Sequence, residues 1–263
     1  MSASQKRKTH ILQTISAEET ITVADLAASL DVSEMTIRRD LSELEKEGLL
    51  KRVHGGAVSS HGRSYEPPFT LRRDQATDAK RRIAEVAASM VEEGDSLALD
   101  VGSTVLELAK QLSKRRGLTI VTPSVRILNH FINNKDIRLI VTGGILRNGE
   151  ESLVGDLAAQ AFRGLFVDKL FLGVGGLDAQ NGLTEYNWDD ALVKRAMIGS
   201  AKEVILLIDS SKFGRSAFAK IAELRDIHVV VTDVRPPPEL LQKLEENKVR
   251  VIVADGHSEG NED

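Results

Sequence analysis

Apolar residues follow two different patterns along the chain, and each predicts a different kind of fold. Within the first 58 residues they recur at helical spacing, with Ile11, Leu12 and Ile15 on one side of a first predicted helix. From residue 96 onward they form short continuous runs, separated mostly by amphipathic stretches of helical length. Such alternation is typical of a mostly parallel sheet covered by helices, so we expect an α/β fold there. The predicted strands are residues 96–100, 118–122, 137–142, 169–174, 204–209, 229–233 and 249–254.

The first 58 residues carry the signals of short helices followed by a hairpin. Thr22 is predicted to cap a second helix over 23–30, and Ser33 to cap a third helix that ends at Gly48. Residues 49–58 are predicted to form two short strands around a Gly-Gly pair, which tolerates the positive φ of hairpin turns. Two helices joined by a tight turn and followed by a hairpin indicate a winged helix-turn-helix.

The third predicted helix has a polar face suited to a DNA groove. On a helical wheel Ile37, Leu41 and Leu44 form its buried stripe, which leaves the opposite side and its flanks exposed. Arginine can bind guanine or phosphate, threonine suits a phosphate or a base edge, and hairpin cations suit the backbone or the minor groove. The predicted DNA-binding residues are Ser33, Met35, Thr36, Arg38, Arg39, Ser42, Lys46, Lys51, Arg52 and His54.

The same helix also fits a solvated surface helix with internal ion pairs. Glu34 with Arg38, and Arg39 with Glu43, are both spaced at i,i+4, where such pairs add a few tenths of a kcal/mol. The charge balance does not favour nucleic acid, because 35 Lys plus Arg stand against 39 Asp plus Glu and the net charge is −4. Residues 1–58 alone carry a net charge of −1. DNA binding therefore has to depend on where the cations lie rather than on their sum.

Composition restricts the chemistry and the compartment. The absence of Cys excludes disulfides and thiolate metal sites and fits a reducing compartment. The six His residues lack metal-ligand spacing, and the sequence contains no G-x-G-x-x-G dinucleotide motif, no Walker A motif and no G-x-S-x-G nucleophile motif. The start of the chain is basic without an apolar stretch behind it, and no apolar run approaches the ~18 residues of a membrane helix. We therefore expect a cytoplasmic protein with no cofactor, metal or catalytic residue.

Loops after the predicted strands carry the residues of a small-molecule pocket. Gly102 lets the backbone approach a ligand, and the amides and hydroxyls of Ser103 and Thr104 can converge on an anion. Lys212, in the last of these loops, is a natural partner for phosphate or carboxylate. Each loop alone also fits a helix cap, turn glycines or a solvated lysine, but together they favour a polar pocket. The four loops are residues 100–104, 142–144, 173–178 and 209–214.

Several fixed spacings resemble the signature of the DeoR family of bacterial transcriptional regulators. In the first domain they are Arg7-x3-Ile11-x3-Ile15, Ser33-x2-Thr36-Ile37-Arg38-Arg39-Asp40-Leu41, Glu47-Gly48-Leu49-Leu50 and Arg52-Val53-His54-Gly55-Gly56-Ala57. In the second domain they are Asp100-x-Gly102-Ser103-Thr104, Gly182-Leu183-Thr184-Glu185 and Ser210-Ser211-Lys212-Phe213. The second domain thus resembles the sensor domain of that family, which is similar in fold to ribose-5-phosphate isomerase.

The resemblance implies an effector pocket with a phosphate loop, acidic partners for sugar hydroxyls and one lysine charge. The isomerases have a lysine in a glycine-rich run soon after the acidic loop, whereas here no lysine follows that loop before Lys194. Isomerisation needs a base and a polarising cation together at the carbonyl, so we expect a pocket that binds without turnover. The implied effector-binding residues are Gly102, Ser103 and Thr104 for phosphate, Asp100, Asp178 or Glu185 for hydroxyls, Lys212 for charge, and Gly143 and Gly144 in a neighbouring loop.

The sequence as a whole predicts a transcriptional repressor of a carbohydrate catabolic operon, released by a phosphorylated sugar or related metabolite. Its expected partners are a double-stranded DNA operator, that effector and further copies of the chain. Self-association is expected because a single winged helix-turn-helix domain binds DNA with limited affinity. An isomerase-like enzyme with an accessory DNA-binding head, and activation instead of repression, are the alternatives. The predicted organisation is a winged helix-turn-helix at 1–58, a linker at 59–78, an α/β effector-sensing and oligomerisation domain at 79–255 and a flexible tail at 256–263.

Overall fold

The chain folds into two separate units. The computed structural model describes residues 3–18, 20–46, 49–58 and 62–254, and the units are Met1–Tyr65 and Glu66–Asp263. The predicted tail and the predicted end of the third helix at Gly48 lie outside the described residues. None of the helices within the described ranges is long and apolar enough to cross a membrane.

The first unit combines three helices with a small antiparallel sheet, as the sequence predicts. Its elements are α1 (Ala3–Glu18), β1 (Thr20–Thr22), α2 (Val23–Leu30), α3 (Glu34–Lys46), β2 (Lys51–Val53) and β3 (Gly56–Val58). Strand β3 lies between β1 and β2 and pairs antiparallel with both. Ile11 and Ile15 of α1 pack with Leu26 of α2 and with Ile37 and Leu41 of α3 in one core. The three-residue strand β1 was not predicted.

Local signals set the boundaries of these elements. The Thr22 hydroxyl accepts a hydrogen bond from the Asp25 amide at 3.1 Å and caps α2 as predicted. At the start of α3, Ser33 Oγ accepts from the amide of Thr36 at 3.3 Å. A Cβ atom on Gly56 would lie 2.0 Å from the backbone oxygen of Ile21, so β1 can pack against this position only because it is glycine.

The second unit is a helix-covered α/β domain. Along the chain its helices and strands are α4 (Phe69–Asp74), α5 (Thr77–Ser89), β4 (Ser96–Leu99), α6 (Ser103–Leu112), β5 (Thr119–Thr122), α7 (Val125–Phe131), β6 (Arg138–Val141), β7 (Ile145–Arg147), β8 (Ser152–Val154), α8 (Asp156–Gln160), β9 (Val167–Leu172), β10 (Gly176–Asp178), β11 (Gly182–Glu185), α9 (Trp188–Ser200), β12 (Ala201–Leu207), β13 (Ala219–Ala222), β14 (Val229–Thr232), α10 (Pro238–Glu246) and β15 (Arg250–Val253).

A seven-stranded parallel sheet forms the centre of this unit. The strand order is β15-β14-β12-β9-β4-β5-β6, and every pairing is parallel. Alternate side chains point to opposite faces: Leu97 and Leu99 join the core under α5, α6 and α7, and Ala98 joins the core under α9 and α10. Each predicted apolar run overlaps one of the seven strands, which confirms the fold class. All seven strands therefore end at one edge of the sheet.

The antiparallel strands of the second unit were not predicted. β7 pairs with β8, and β11 pairs with both β10 and β13. These strands are three or four residues long, and several begin or end in glycine or charged residues, so they lack the continuous apolar run of a buried strand.

The segment predicted as a linker, 59–78, differs from the structure. Its residues Phe69–Asp74 form α4, in which Phe69 and Arg72 are buried. The guanidinium carbon of Arg126 lies 3.8 Å from the centroid of the Phe69 ring, and Arg72 forms ion pairs with Glu66 and Glu150. Because these contacts fix α4 to the α/β domain, the second unit begins at Glu66 and not at the predicted residue 79.

Candidate functional site

Helix α3 presents the predicted DNA-reading residues on its solvent side. Ile37, Leu41 and Leu44 are buried, as the helical wheel predicts, while Met35 is 73% exposed. Of the predicted DNA-binding residues, Ser33, Met35, Arg38, Arg39, Lys46, Lys51, Arg52 and His54 are exposed, and Thr36 and Ser42 are partly exposed. The fold therefore keeps this set on the surface and uses the apolar stripe for the core.

The hairpin of the first unit is attached to α3 by a hydrogen bond. All three residues of β2 are exposed, and the amide of Arg52 donates to Oε1 of Glu45 in α3 at 2.8 Å. This bond connects the strand that carries Lys51 and Arg52 to the C-terminal half of the helix. The hairpin cations thus extend the exposed surface of α3 in the manner of a wing.

Both ion pairs of the surface-helix interpretation are also present on α3. Arg38 lies 2.7 Å from Glu34, and Arg39 lies 3.3 Å from Glu43. A hydrogen bond from Lys8 to Glu43 at 2.7 Å, with help from Arg39, holds the pKa of that carboxyl below its usual value. The Arg39 side chain is nevertheless 81% exposed, and exposed pairs contribute little to stability. Breaking these two ion pairs therefore costs little free energy, so both arginines are available to another partner.

A partly buried ion pair holds α3 against α1. Asp40 lies on the inner side of α3, and the Arg7 guanidinium binds both of its carboxylate oxygens, with Nη2 to Oδ1 at 3.1 Å. The hydrogen bond to Asp40 raises the pKa of Arg7 above its ordinary value. Because Asp40 follows Arg38 and Arg39 directly, this pair holds α1 to the part of α3 that carries those two side chains.

The second unit has a cleft of about 420 Å³, open solvent included, beyond the carboxyl ends of β4, β9 and β12. Open α/β sheets bind ligands at this edge. The cleft is lined by Glu66, Arg72, Val101, Gly102, Ser103, Thr104, Val105, Arg147, Glu150, Gly173, Val174, Glu185, Asp190, Lys194, Leu207 and Lys212. Five of the predicted effector-binding residues, Gly102, Ser103, Thr104, Glu185 and Lys212, thus come together there.

The first turn of α6 forms one wall of the cleft. Gly102 is the N-cap residue and has a φ of 113°, a conformation that L side chains rarely adopt. Ser103 and Thr104 lie inside the first turn, so the alternative that one of them is the N-cap is wrong. The first amides of a helix have no partner within the helix and attract anions.

Lys212 contributes a cation that forms no salt bridge with any described residue. It ends the short 3₁₀ helix Ser210–Lys212, which Asp209 holds by accepting from the Ser211 amide at 3.2 Å. Its Nζ donates to the backbone oxygen of Val174 at 2.6 Å. Burial lowers the pKa of Lys212, and Asp209 acts against that shift. Among the cations that line the cleft in the described chain, Lys212 is the one that forms no salt bridge.

The structure corrects the expectation that the pocket lacks a second lysine. Lys194 reaches the cleft from α9, where its ammonium pairs with Asp100 and lies 3.3 Å from Oε2 of Glu185. It also donates to the backbone oxygen of Gly173 at 3.0 Å. Burial alone lowers the pKa of Lys194, but the two carboxylates outweigh it and raise the pKa. The sequence argument failed because the helix, rather than a glycine-rich loop, supplies this lysine.

Asp100 supports the cleft from below instead of lining it. It is 1% exposed, and its carboxylate accepts from the Gly173 amide at 2.9 Å in addition to binding Lys194. The predicted role as a partner for sugar hydroxyls does not fit this position, because both contacts are to the protein itself. Asp100 instead connects the ends of β4 and β9 to α9.

Three other predicted residues lie outside the cleft lining. Gly144 packs on the β7–β8 hairpin, where a Cβ atom would lie 2.6 Å from the backbone oxygen of Val154, and Gly143 precedes it in the same turn. Asp178 ends β10, and its Oδ1 accepts from the Asn181 amide at 2.8 Å. Local geometry thus explains Gly144 and Asp178.

Sequence reasoning missed a network of arginines and carboxylates along one side of the cleft. Arg72 of α4 lies 2.9 Å from Oε1 of Glu66 and also pairs with Glu150. Arg147 of β7 lies 2.6 Å from Oε2 of Glu66 and also pairs with Asp190 of α9. No local pattern marks these five residues, since they come from segments up to 124 positions apart and meet only in the folded chain.

Comparison with known proteins identifies the family. The model of the DeoR-like helix-turn-helix domain matches residues 7–63, and the model of the DeoR C-terminal sensor domain matches residues 75–234. The chain therefore belongs to the DeoR family, as the resemblance predicts, and it is a DNA-binding transcriptional regulator.

Relatives of similar length bear regulator names. The chain is 37% identical to the uncharacterized HTH-type transcriptional regulator YulB of Bacillus subtilis, with 94% of this chain and 95% of that protein covered. It is 33% identical to the putative aga operon transcriptional repressor of Escherichia coli O157:H7, with 96% of this chain and 95% of that protein covered. It is 30% identical to the glycerol-3-phosphate regulon repressor of Escherichia coli K12, with 94% of this chain and 97% of that protein covered.

Solved structures show more distant likeness. Ribose 5-phosphate isomerase A of Methanocaldococcus jannaschii aligns with a TM-score of 0.40 at 18% identity, over 52% of this chain and 54% of that chain. The translation initiation factor eIF-2B of Pyrococcus horikoshii OT3 aligns with a TM-score of 0.43 at 14% identity, over 82% and 74%. At these scores neither structure bears on the function of the cleft.

Proposed function

We propose that this protein is a cytoplasmic repressor of an operon for carbohydrate or polyol use, and that a phosphorylated metabolite in the cleft releases it from DNA. The observation that carries the proposal is that Lys212, a cation that forms no salt bridge within the described residues, lines the same cleft as the first turn of α6. The names of two relatives, an aga operon repressor and a glycerol-3-phosphate regulon repressor, support the choice of ligand class.

The ligand phosphate binds the amides and hydroxyls of Gly102, Ser103 and Thr104, and Lys212 neutralises part of its charge. Glu185 already accepts from the Tyr186 amide and faces Lys194, but unlike Asp100 it lines the cleft, so it can also accept from a ligand hydroxyl. The cleft binds without turnover. Lys194 does not act as a base there, because two carboxylates keep its ammonium charged and buried.

The operator is bound by α3 and the wing of the first unit. Arg38, Arg39 and Thr36 contact bases or phosphates in the major groove, and Lys51, Arg52 and His54 contact backbone or the minor groove. Copies of the chain associate, so that two DNA-binding domains bind two half-sites of the operator at once. Binding of the first domain raises the effective concentration of the second and so increases the overall affinity.

Fluorescence anisotropy with labelled promoter fragments from beside the protein's own gene tests this proposal. Saturable, sequence-selective binding that survives competitor DNA, and that a compound from a panel of sugar and polyol phosphates reverses, is the expected result. A hundredfold release requires about 2.7 kcal/mol of preference for the DNA-incompetent state. Uniform binding that salt abolishes equally for all fragments contradicts the proposal.

A double variant locates the effector site. Ser103→Ala with Lys212→Ala is expected to abolish release by the active compound while DNA affinity stays unchanged. Ser89→Ala with Lys202→Ala removes the same groups from exposed positions outside the cleft and serves as the matched control. An unaltered release curve for the first variant places the effector elsewhere.

A further inference from the structure

The cleft carries as many acidic as basic side chains. Among the described residues that line it, four cations stand against four carboxylates, so the wall as a whole is neutral. An anionic ligand is attracted by Lys212, but it can bind the paired cations of this wall only if one carboxylate leaves or takes up a proton. One of the four carboxylates must therefore be displaced or protonated when an anion binds the paired cations.

Glu66 occupies a position that an oxyanion of a ligand could take. Its two carboxylate oxygens bridge two guanidinium groups, with Oε1 at 2.9 Å from Nη2 of Arg72 and Oε2 at 2.6 Å from Nη2 of Arg147. The side chain is 10% exposed. Arginine pairs bind phosphate and carboxylate in this same way.

Glu66 is also the carboxylate that the network can spare. Without it Arg72 keeps its pair with Glu150, and Arg147 keeps its pair with Asp190. Glu66 lies in the irregular segment before α4, whereas Asp190 lies in α9. Its removal therefore leaves no arginine unpaired and breaks no helix or strand.

We propose that Glu66 is an exchangeable counter-ion, and that an oxyanion of the ligand binds Arg72 and Arg147 by displacing it. The proposal deepens the proposed function, on which it rests for the presence of a ligand in the cleft.

The ionisation of Glu66 supports this assignment. Burial raises the pKa of Glu66 to about 7, because Arg72 and Arg147 only partly offset burial and the repulsion from Glu185 and Glu150. The ionised carboxylate is thus held less well here than in water. On moving into solvent Glu66 returns to an ordinary acidic pKa, so its displacement below neutral pH releases a proton.

Calorimetric titration of the full chain with sulfate tests the exchange, since sulfate remains a dianion across neutral pH. Titrations in buffers of different ionisation enthalpy give the number of protons released. At about pH 6, one unit below the Glu66 pKa, the expected release is about 0.9 proton per sulfate, and at about pH 8 about 0.1. Because binding releases protons, sulfate affinity is expected to be about tenfold higher at pH 8 than at pH 6.

Two variants separate Glu66 from the other groups. Glu66→Gln is expected to bind sulfate without this proton release and without the rise in affinity. Burial lowers the pKa of Lys80, which lies close to Arg72, to about 8, so Lys80 can also release protons in this pH range. It does so equally in the parent and the Glu66→Gln chains. The difference in proton release between these two chains therefore isolates Glu66. Glu151→Gln, which removes a carboxylate paired with Arg126 outside the cleft lining, is expected to behave as the parent chain.

Proton uptake at pH 6, or equal release by the parent and Glu66→Gln chains, overturns the exchange. Absence of sulfate binding overturns it as well, while the proposed function stands or falls separately on release from DNA. If Glu66→Gln does not fold, the sign of the proton exchange in the parent chain decides alone.

Discussion

The buried pair of Asp100 and Lys194 allows a quantitative test of how the cleft is built. Replacement of Asp100 by Asn leaves the Lys194 ammonium, which is 2% exposed, with Glu185 at 3.3 Å as its remaining carboxylate. Removal of one partner from a buried pair costs about 3–5 kcal/mol. Because Glu185 stays in place, we expect a loss near the lower limit, about 3 kcal/mol.

Urea unfolding followed by tryptophan fluorescence measures this loss. Trp188 is the only tryptophan in the sequence and lies at the start of α9, the helix that carries Lys194. The matched variants are Lys194→Met and the double replacement Asp100→Asn with Lys194→Met. The double variant is expected to lose less than the sum of the single ones, since it leaves no unpaired buried charge.

A different outcome supports the direct ligand role that the sequence predicts for Asp100. In that case Asp100→Asn unfolds at the parent urea concentration and loses only affinity for the ligand. Such a result refutes the conclusion that Asp100 is a support beneath the cleft.

Three further predictions concern other parts of the chain. Gly102→Ala is expected to destabilise the second unit by about 1–3 kcal/mol in the same fluorescence assay, because no atom lies within 4 Å of the added Cβ and the cost is backbone strain alone; an unchanged midpoint contradicts it. Asp40→Ala is expected to cost the first unit about 1.5–3 kcal/mol in thermal unfolding by circular dichroism, because Arg7 loses its charged hydrogen bonds, and unaltered melting opposes this. Since the pKa of Glu66 is raised to about 7, the native chain binds more protons there than the unfolded chain, so this group lowers stability by up to about 3 kcal/mol as pH rises from about 4.5 to 7. Urea unfolding across this range should show a smaller slope for Glu66→Gln than for the parent chain, and equal slopes contradict the prediction.

The fold was predictable where one local pattern decided the outcome. Seven apolar runs gave the seven parallel strands, and the spacing of Ile37, Leu41 and Leu44 gave the buried side of α3. Burial of apolar surface acts on each such run separately, so the pattern can be recognised without knowledge of the neighbours. The same holds for Thr22, whose capping bond lies within four residues.

The charged side of the cleft was not predictable, because it depends on contacts between distant segments. Glu66 lay in an apparent linker, and its partner Arg147 lies 81 positions further along the chain. Lys194 occupies a helix face that periodicity alone would assign to solvent or core. Conversely, Asp178 and Gly144 stand at the expected loops but satisfy their own turns. The position of the loops correctly indicates at which edge of the sheet the cleft lies. Contacts that form on folding decide which side chains reach the cleft.

Arg39 provides the most direct test of the central claim that α3 reads DNA. Anisotropy titrations at one salt concentration give the ratio of affinities for the operator and for a scrambled fragment. Arg39→Ala is expected to lower this ratio about 5- to 150-fold, corresponding to about 1–3 kcal/mol, while Arg163→Ala, which removes an exposed arginine of the second unit, leaves it unchanged. If the Arg39→Ala chain discriminates between the fragments as the parent does, the exposed face of α3 is not the reading surface.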